Sequence, residues 1–283
     1  MEIDAFKKQG LDVTFNSGGP NVDPVANVAA GRSQLGDRPI GPIGPIIVAR
    51  ERGIPVKVIA TVFQRSPFSI MSLAAKPIRT VKELEGKTLA VATSARPPIL
   101  NLLRDAGVEA RSVNIVPSAP DPSALVSGQI DAYSGYSTNQ GIMLQTRGVD
   151  IHVINVHDRG LPETAGTIYA REDYLAANRD TVVRFLKGAV EGWRWALANK
   201  EKTAELMVGR YGAPGLDLRA QRTELEASEP FIMAGAGSKG LLALDLRLFD
   251  RIISLYRKVD MVKSNLAAAE LCGPSFVEAA LKG

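Results

Sequence analysis

The chain has 283 residues, of which 45% are hydrophobic and 23% charged, and its formal net charge at pH 7 is +4. This is the composition of an ordinary globular protein of one large or two modest domains, and its scattered basic residues do not favour nucleic acid as a partner. No apolar run approaches the roughly 18 residues of a membrane span. The one cysteine, Cys272, excludes an intramolecular disulfide and argues against a thiolate metal site.

The N-terminus carries neither the basic segment nor the apolar segment of a secretory signal. Met1 is followed directly by a charged stretch that runs to Lys8. Read literally, the sequence predicts a chain that is not exported, although a mature or truncated form would look the same.

An internal repeat with a spacing of about 97 residues organises the front half of the chain. Residues 9–20 parallel residues 106–120, and an Asp-Pro pair, which is a strong helix start, recurs at Asp23 and at Asp121. A helix that ends at glycine and leads into a β-branched run recurs at residues 52–59 and 147–154. The repeat favours two lobes of one design over two unrelated α/β units.

Each repeat alternates helices with strands, which is typical of an α/β fold with parallel strands covered by helices. The second repeat has one additional strand in front, at residues 87–93. Its counterpart in the first repeat would lie before Met1. The symmetry therefore predicts that the first strand of lobe 1 is missing from this chain.

Two extended segments predict crossings between the lobes. Residues 63–73 form the outward crossing, and a return strand covers residues 167–170. Helical periodicity follows from residue 181 onward, over residues 181–198, 202–211, 217–226 and 245–259. We expect lobe 1 to consist of residues 1–67 with 171–283, and lobe 2 of residues 68–170, joined by a hinge.

Several of these stretches resemble one family, the solute-binding proteins related to thiamine-pyrimidine precursor synthesis and to alkanesulfonate binding. The resemblance is carried by residues 6–13, the Gly18-Gly19-Pro20 turn, residues 53–56, the Gln64-Arg65-Ser66-Pro67 crossing, residues 80–87 and 128–132, Asn139-Gln140 and residues 160–162.

The resemblance implies a type II periplasmic-binding-protein fold, a periplasmic or cell-surface location, and the permease and ATPase subunits of an ABC importer as partners. Its ligands would be pyrimidine precursors, flavin-like compounds or sulfonates, and membrane contact would come through the transporter or a lipid anchor. It also implies an export signal, a first strand and an aromatic ligand loop ahead of Phe6, and residues 1–5 contain none of these.

Ligands of parallel α/β sheets lie beyond the carboxyl ends of the strands, so we expect the ligand residues in the loops that follow the strands of both lobes. The candidates are Gly18, Gly19, Asp37, Arg38, Gln64, Arg65, Ser66, Ser94, Arg96, Tyr136, Asn139, His157 and Glu163.

Each candidate has a plainer alternative. The two glycines fit either a ligand contact or a turn with positive φ. Arg65 and Arg96 would either clamp an anion or form ordinary salt bridges. Tyr136 would stack on a heterocycle, Asn139 would bind the ligand or cap a helix, and Glu163 would accept from a ring amine. His157 would face the ligand or lie on the surface.

Two other functions remain open at this point. A pyrimidine-precursor synthase on the same scaffold would need a cysteine-rich iron motif, and Cys272 stands far from any such pattern. The effector domain of a transcription regulator would need a helix-turn-helix ahead of Met1. We expect no catalytic residue, no cofactor and no metal site.

Overall fold

The computed structural model describes residues 3–18, 22–38, 41–212 and 214–282. Its contacts divide the chain into two compact units. Unit 1 consists of Met1–Arg65, Glu163–Ala198 and Pro230–Gly283, and unit 2 of Ser66–Pro162 and Asn199–Glu229.

The strands, in chain order, are β1 (Leu35–Arg38), β2 (Val56–Phe63), β3 (Phe68–Leu73), β4 (Thr88–Val91), β5 (Asn114–Pro117), β6 (Ala132–Tyr136), β7 (Ile151–Asn155) and β8 (Ala165–Arg171). The α-helices are α1 (Ala5–Lys8), α2 (Pro24–Ala29), α3 (Gly44–Glu51), α4 (Arg96–Asp105), α5 (Ser123–Val126), α6 (Ile142–Thr146), α7 (Glu172–Ala177), α8 (Arg179–Ala198), α9 (Lys200–Leu206), α10 (Leu218–Ile232), α11 (Leu246–Lys258), α12 (Ala268–Leu271) and α13 (Pro274–Leu281).

The landmarks of the sequence repeat recur in the backbone. The Asp23 carboxylate accepts hydrogen bonds from the N–H groups of Val25 and Ala26 at the start of α2. The Asp121 carboxylate accepts in the same way from Ser123 at the start of α5. Helices or turns end on glycines with positive φ at matched positions, namely Gly10 and Gly107, Gly31 and Gly128, and Gly53 and Gly148.

Unit 2 contains a five-stranded sheet in the order β5-β4-β6-β3-β7. β4 is parallel to both β5 and β6, whereas β3 lies antiparallel between β6 and β7. Met71, Leu125, Tyr133 and Leu144 pack together in its core. The strand at residues 87–93 that the sequence predicts is therefore β4, in the middle of the parallel part of the sheet.

Unit 1 contains a three-stranded sheet in the order β1-β8-β2, with β8 antiparallel to both neighbours. Thr167 of β8 stands opposite Arg38 of β1 and Thr61 of β2. This arrangement repeats β6-β3-β7 of unit 2. The described part of unit 1 has no equivalent of β4.

Residues 11–15, which the repeat aligns with the region of β5, form no strand. Residues 11–18 pair with no strand in the described structure, and Phe15 is 62% exposed, with its ring centroid 6.1 Å from that of Phe6. The equivalent strand of unit 2, β5, pairs only with β4. Without such a neighbour, residues 11–15 have no ladder to join.

The unit boundaries differ from the expected lobes in two places. β8 pairs with β1 and β2, so residues 163–170 group with unit 1 although the sequence placed the return at residue 170. Residues 199–229 group with unit 2 although the sequence placed them in lobe 1. The division into two hinged lobes stays a prediction.

No helix in the described ranges is both long enough and apolar enough to span a bilayer.

In the sheet of unit 1, the ring of Tyr169 packs closely against Gly36 of the neighbouring strand. A Cβ atom at Gly36 would lie 2.3 Å from Cζ of Tyr169, which is fully buried. Gly36→Ala should therefore displace the tyrosine ring and destabilise the protein by about 1–3 kcal/mol in urea denaturation. Gly192→Ala is the matched control, because nothing lies within 4 Å of that position in α8. Equal stability of the two variants would contradict the packing described here.

Candidate functional site

The end of β2 is held by backbone and side-chain hydrogen bonds within unit 1. Gln64 Nε2 donates to the carbonyl oxygens of Thr61, at 2.9 Å, and of Ala243, at 2.8 Å. The N–H groups of Gln64 and Arg65 both donate to the Phe231 carbonyl, and the Arg65 guanidinium lies 5.5 Å from the centroid of the Phe231 ring. Both candidates thus contribute to fixing this segment of unit 1.

Three buried residues of unit 1 and the half-buried Arg38 form a polar group that we call the Glu163 cluster: Arg38, Glu163, Thr167 and Tyr169. Glu163, Thr167 and Tyr169 are 0–1% exposed. Thr167 and Tyr169 are two positions apart on β8, so their side chains point to the same face of the sheet, and Arg38 stands opposite Thr167. Strand pairing therefore brings Arg38 close to residues that follow it in the chain by 125 positions or more.

Glu163 lies at the N-terminus of α3. Its Oε1 atom accepts hydrogen bonds from the N–H groups of Ile43, at 3.4 Å, and Thr164, at 3.2 Å. Burial raises the pKa of Glu163 to about 8, and the two N–H donors and the nearby charge of Arg38 reduce that rise. The carboxyl group is therefore mainly protonated at neutral pH.

Three polar atoms of the cluster have no hydrogen-bond partner among the described residues. They are Glu163 Oε2, Thr167 Oγ1 and Tyr169 Oη. Burial also raises the pKa of the Tyr169 phenol, so this hydroxyl keeps its proton. Buried polar groups are nearly always hydrogen-bonded, to water or a ligand where no protein group serves. The neutral carboxyl of Glu163 and the hydroxyls of Thr167 and Tyr169 can therefore form hydrogen bonds with a ligand or with water.

In unit 2, β6 ends at a buried tyrosine and leads into a polar turn. Tyr136 is the last residue of β6 and is buried, with its ring centroid 6.0 Å from that of Phe68. The sequence predicted that its ring stacks on a heterocyclic ligand, and this stays a prediction; in the structure Tyr136 belongs to β6, where it pairs with Phe68. A π-helical turn, Ser137–Gly141, follows, and turns of this kind occur frequently at functional sites.

Asn139 lies in this turn and makes a specific contact within unit 2. Its Nδ2 atom donates to Glu224 Oε1 of α10 at 2.8 Å, and Gln221 Nε2 donates to the other carboxylate oxygen at 3.2 Å. Burial raises the pKa of Glu224, and both amide donors oppose the rise. Asn139 therefore does not cap the next helix, and its side chain has a protein partner in Glu224.

The other candidates are dispersed. Asp37 and Arg38 were expected in a loop but belong to β1, because both pair with β8; Asp37 is exposed and Arg38 Nε donates to the Pro42 carbonyl. Ser66 is buried and accepts from the Phe68 N–H. Gly18 and Arg96 are exposed, Ser94 and His157 are half-buried, and Gly19 lies outside the described residues.

The sequence did not single out Thr167, Tyr169 and Glu224 as site residues. A signal existed for the first two, because a return strand that carries polar side chains at alternate positions needs partners for them once it is buried. Glu224 gives no such signal, since its approach to Asn139 depends on where α10 packs.

Cysteine or metal chemistry finds little support in the described structure. Cys272 is buried, and burial raises the pKa of its thiol, which disfavours the reactive thiolate. No group of three or more His, Cys, Asp or Glu side chains in the described ranges could hold a metal ion.

The pKa of Glu163 makes the stability of the protein depend on pH. The folded state holds a proton that the unfolded state, with an ordinary pKa of 4.5, releases. Stability should therefore fall by a few kcal/mol as pH rises from about 4.5 to above 8. Glu163→Gln should remove most of this fall, as measured by urea denaturation at a series of pH values. The exposed Glu85→Gln is the control, and an unchanged pH profile in Glu163→Gln would contradict the burial argument.

Two characterised proteins are similar in sequence. The riboflavin-binding protein RibY of Chloroflexus aurantiacus is 26% identical over 195 residues, which cover 66% of this chain and 54% of that protein. A formylaminopyrimidine-binding protein of Halalkalibacterium halodurans is 27% identical over 214 residues, which cover 74% of this chain and 64% of that protein. The chain thus spans between half and two thirds of the length of these relatives.

Solved structures establish the fold. The sulfonate-binding protein SsuA of Methylobacillus flagellatus superimposes with a TM-score of 0.72 at 19% identity, covering 99% of this chain and 84% of that one. The desulfurization enzyme DSZB gives 0.67 at 15% identity, covering 99% and 94%. The fold is that of the type II periplasmic-binding proteins, as the sequence resemblance implied.

One family model matches residues 4–203, which is most of both repeats. The match includes β1 to β8 and every residue of the Glu163 cluster. The chain belongs to the NMT1/THI5-like family.

Proposed function

We propose that this protein is the solute-binding component of an ABC importer and that its ligand is a flat nitrogen heterocycle of the aminopyrimidine or flavin class. The observation that carries the ligand class is the Glu163 cluster, with a buried neutral carboxyl and two buried hydroxyls in need of partners. The two sequence relatives, named for riboflavin and formylaminopyrimidine, support the same class.

The chemistry of the cluster favours a heterocycle over an anion. A protonated Glu163 donates through Oε2 to a ring nitrogen or carbonyl, because Oε1 already accepts from two backbone N–H groups. The hydroxyls of Thr167 and Tyr169 can each donate or accept, which suits the mixed edge of an aminopyrimidine or a flavin. A sulfonate offers only acceptors, so it would use the O–H groups as donors only, and it would repel Glu163 whenever that carboxyl ionises. Arg38 is the feature that supports a sulfonate as the second candidate, because its charge reaches the cluster.

The same proposal includes the partners and the location. The permease and ATPase subunits of the importer would receive the solute, and the protein would act in the periplasm or at the cell surface, held there by the transporter or a lipid anchor. A non-catalytic role is supported by relatives named as binding proteins, although an enzyme, DSZB, shares the fold.

The ligand class can be tested by calorimetry with riboflavin, an aminopyrimidine and an alkanesulfonate. We expect the heterocycles to bind, and to bind less tightly above pH 8, where Glu163 ionises. Tyr169→Phe should weaken binding about two- to tenfold by removing one hydrogen bond. Tyr133→Phe is the control, because the Tyr133 hydroxyl donates to the Ala119 carbonyl in unit 2. Tighter binding of the sulfonate would overturn the assignment of the ligand class.

The sequence-based expectation that both lobes hold one ligand and close on it stays a prediction. Arg65→Ala, which removes a candidate of lobe 1, and Asn139→Ala, which removes one of lobe 2, should then each weaken binding of the same ligand. Ligand should also reduce the radius of gyration in small-angle scattering. A scattering profile that saturating ligand leaves unchanged would contradict closure.

A further inference from the structure

Gln64 carries a buried polar atom that the Glu163 cluster does not include. Its side chain is 5% exposed, and its Oε1 atom has no hydrogen-bond partner among the described residues. The two N–H groups of its amide are engaged, because Nε2 donates to the carbonyl oxygens of Thr61 and Ala243. An amide oxygen only accepts, so Oε1 needs an N–H or O–H donor from outside these groups.

The orientation of this amide is fixed by its two acceptors. Turning it over would place Oε1 against the Thr61 and Ala243 carbonyl oxygens, and none of these oxygen atoms carries a proton to share. The side chain is also tightly packed, since a Cβ atom at Gly237 would lie 2.9 Å from Cγ of Gln64. Gln64 therefore presents an acceptor that it cannot exchange for a donor, as a rotating hydroxyl can.

The segment that supplies the Ala243 carbonyl has a strained backbone. Leu242 has a φ of 67° although it is not a glycine, and it is only 1% exposed. Its own carbonyl accepts from the Thr61 N–H at 3.2 Å, so two successive carbonyls of this segment bond the end of β2. Left-handed backbone at a bulky residue persists only where the surrounding structure enforces it, and such strain is concentrated at ligand sites. The strain therefore favours a functional role for the amide that this segment holds.

Gln64 and Glu163 leave the sheet of unit 1 at the same end. Gln64 directly follows β2, Glu163 lies two residues before β8, and the two strands are antiparallel. Thr61 connects them, because its carbonyl accepts from Gln64 and its Oγ1 atom lies 2.8 Å from Thr164 Oγ1. The Thr164 N–H in turn donates to Glu163 Oε1 at 3.2 Å. One end of the β2–β8 pair thus carries both an unpaired acceptor and the carboxyl of the candidate site.

We propose that Gln64 is a specificity-determining residue of the binding site and that its Oε1 atom accepts a hydrogen bond from an N–H group of the ligand. This role rests on the proposed function and narrows its ligand class to heterocycles with an N–H group on the bound edge. The amino group of an aminopyrimidine and the ring N–H of a flavin both qualify. A heterocycle with acceptors only, or a sulfonate, would leave Oε1 unpaired, and a site built to bond a donor rejects the analogue that lacks it.

The test compares ligands that differ in one N–H group. Calorimetry would measure the affinities of an aminopyrimidine and its methoxy analogue, and of riboflavin and its analogue methylated at the ring N–H. Each analogue keeps the ring and its acceptors but lacks the donor. Within the pair that binds, wild-type protein should prefer the N–H ligand by about tenfold or more, since the analogue leaves a buried acceptor unpaired.

Two variants separate recognition from stability. Gln64→Met keeps the length of the side chain but removes Oε1, so the preference for the N–H ligand should fall to about twofold or less. Thr61→Val is the control, because it removes the hydroxyl contact with Thr164 and so destabilises the same segment, but it keeps the carbonyl that holds Gln64. Its preference should remain that of the wild-type protein.

Equal affinities of the wild-type protein for both members of the pair that binds would overturn the assignment of Gln64, as when a water molecule satisfies Oε1, and this result needs no variant. A preference that Gln64→Met retains, or that Thr61→Val loses, would also overturn it, since the amide would then support the fold without recognising the ligand. These results leave the heterocycle class standing. Tighter binding of an alkanesulfonate than of all the heterocycles would instead overturn the proposed function, and the role of Gln64 with it.

Discussion

Each of the two sheets in the described structure depends on an inserted antiparallel strand. β8 lies between β1 and β2, and β3 lies between β6 and β7, and each inserted strand follows a segment of the other unit in the chain. Neither outer pair can form a sheet without its middle strand, because β1 does not bond β2 and β6 does not bond β7. Folding of unit 1 therefore requires contacts between residues more than 100 positions apart, which is entropically costly and slow. The same strand places Thr167 and Tyr169, so fold and candidate site share one constraint.

Much of the fold could be predicted from the sequence because its signals are local. Asp23-Pro24 starts α2, glycines at matched positions end helices, and β-branched runs give β2 and β7. These local signals gave the wrong element where strand formation depends on pairing with another segment of the chain. Residues 11–15 have the alternation of a strand but no strand beside them, and Asp37 and Arg38 look like a loop but are drawn into β1 by β8. The alternation of apolar and polar residues shows that a segment can form a strand, but the segment forms one only where a neighbouring strand pairs with it.

The candidate site was predicted less completely, for a related reason. Glu163 could be named from its position after a proline, but its charge state could not, because a carboxyl changes its preferred protonation only when it is surrounded by protein. As a carboxylate it would be an acceptor for a ring amine, which was the sequence-based expectation. Buried beneath α3, it is a donor as well. The surroundings of Tyr136 were not predicted either, because its packing against Phe68 depends on the pairing of β6 with β3.

The neutral state of Glu163 also bears on how selectivity arises. A buried site built from uncharged donors and acceptors rejects a ligand that leaves them unpaired, and it does so more sharply than an apolar pocket rejects a misfit. With Oε1 already occupied by two backbone N–H groups, only Oε2 and the hydroxyls of Thr167 and Tyr169 remain to be satisfied. While Glu163 is protonated, all three carry an O–H group that can donate, and the two hydroxyls can also accept. A ligand with both acceptors and donors on one edge, such as the nitrogen heterocycle proposed above, would use this capacity fully, whereas a sulfonate would use only the donors.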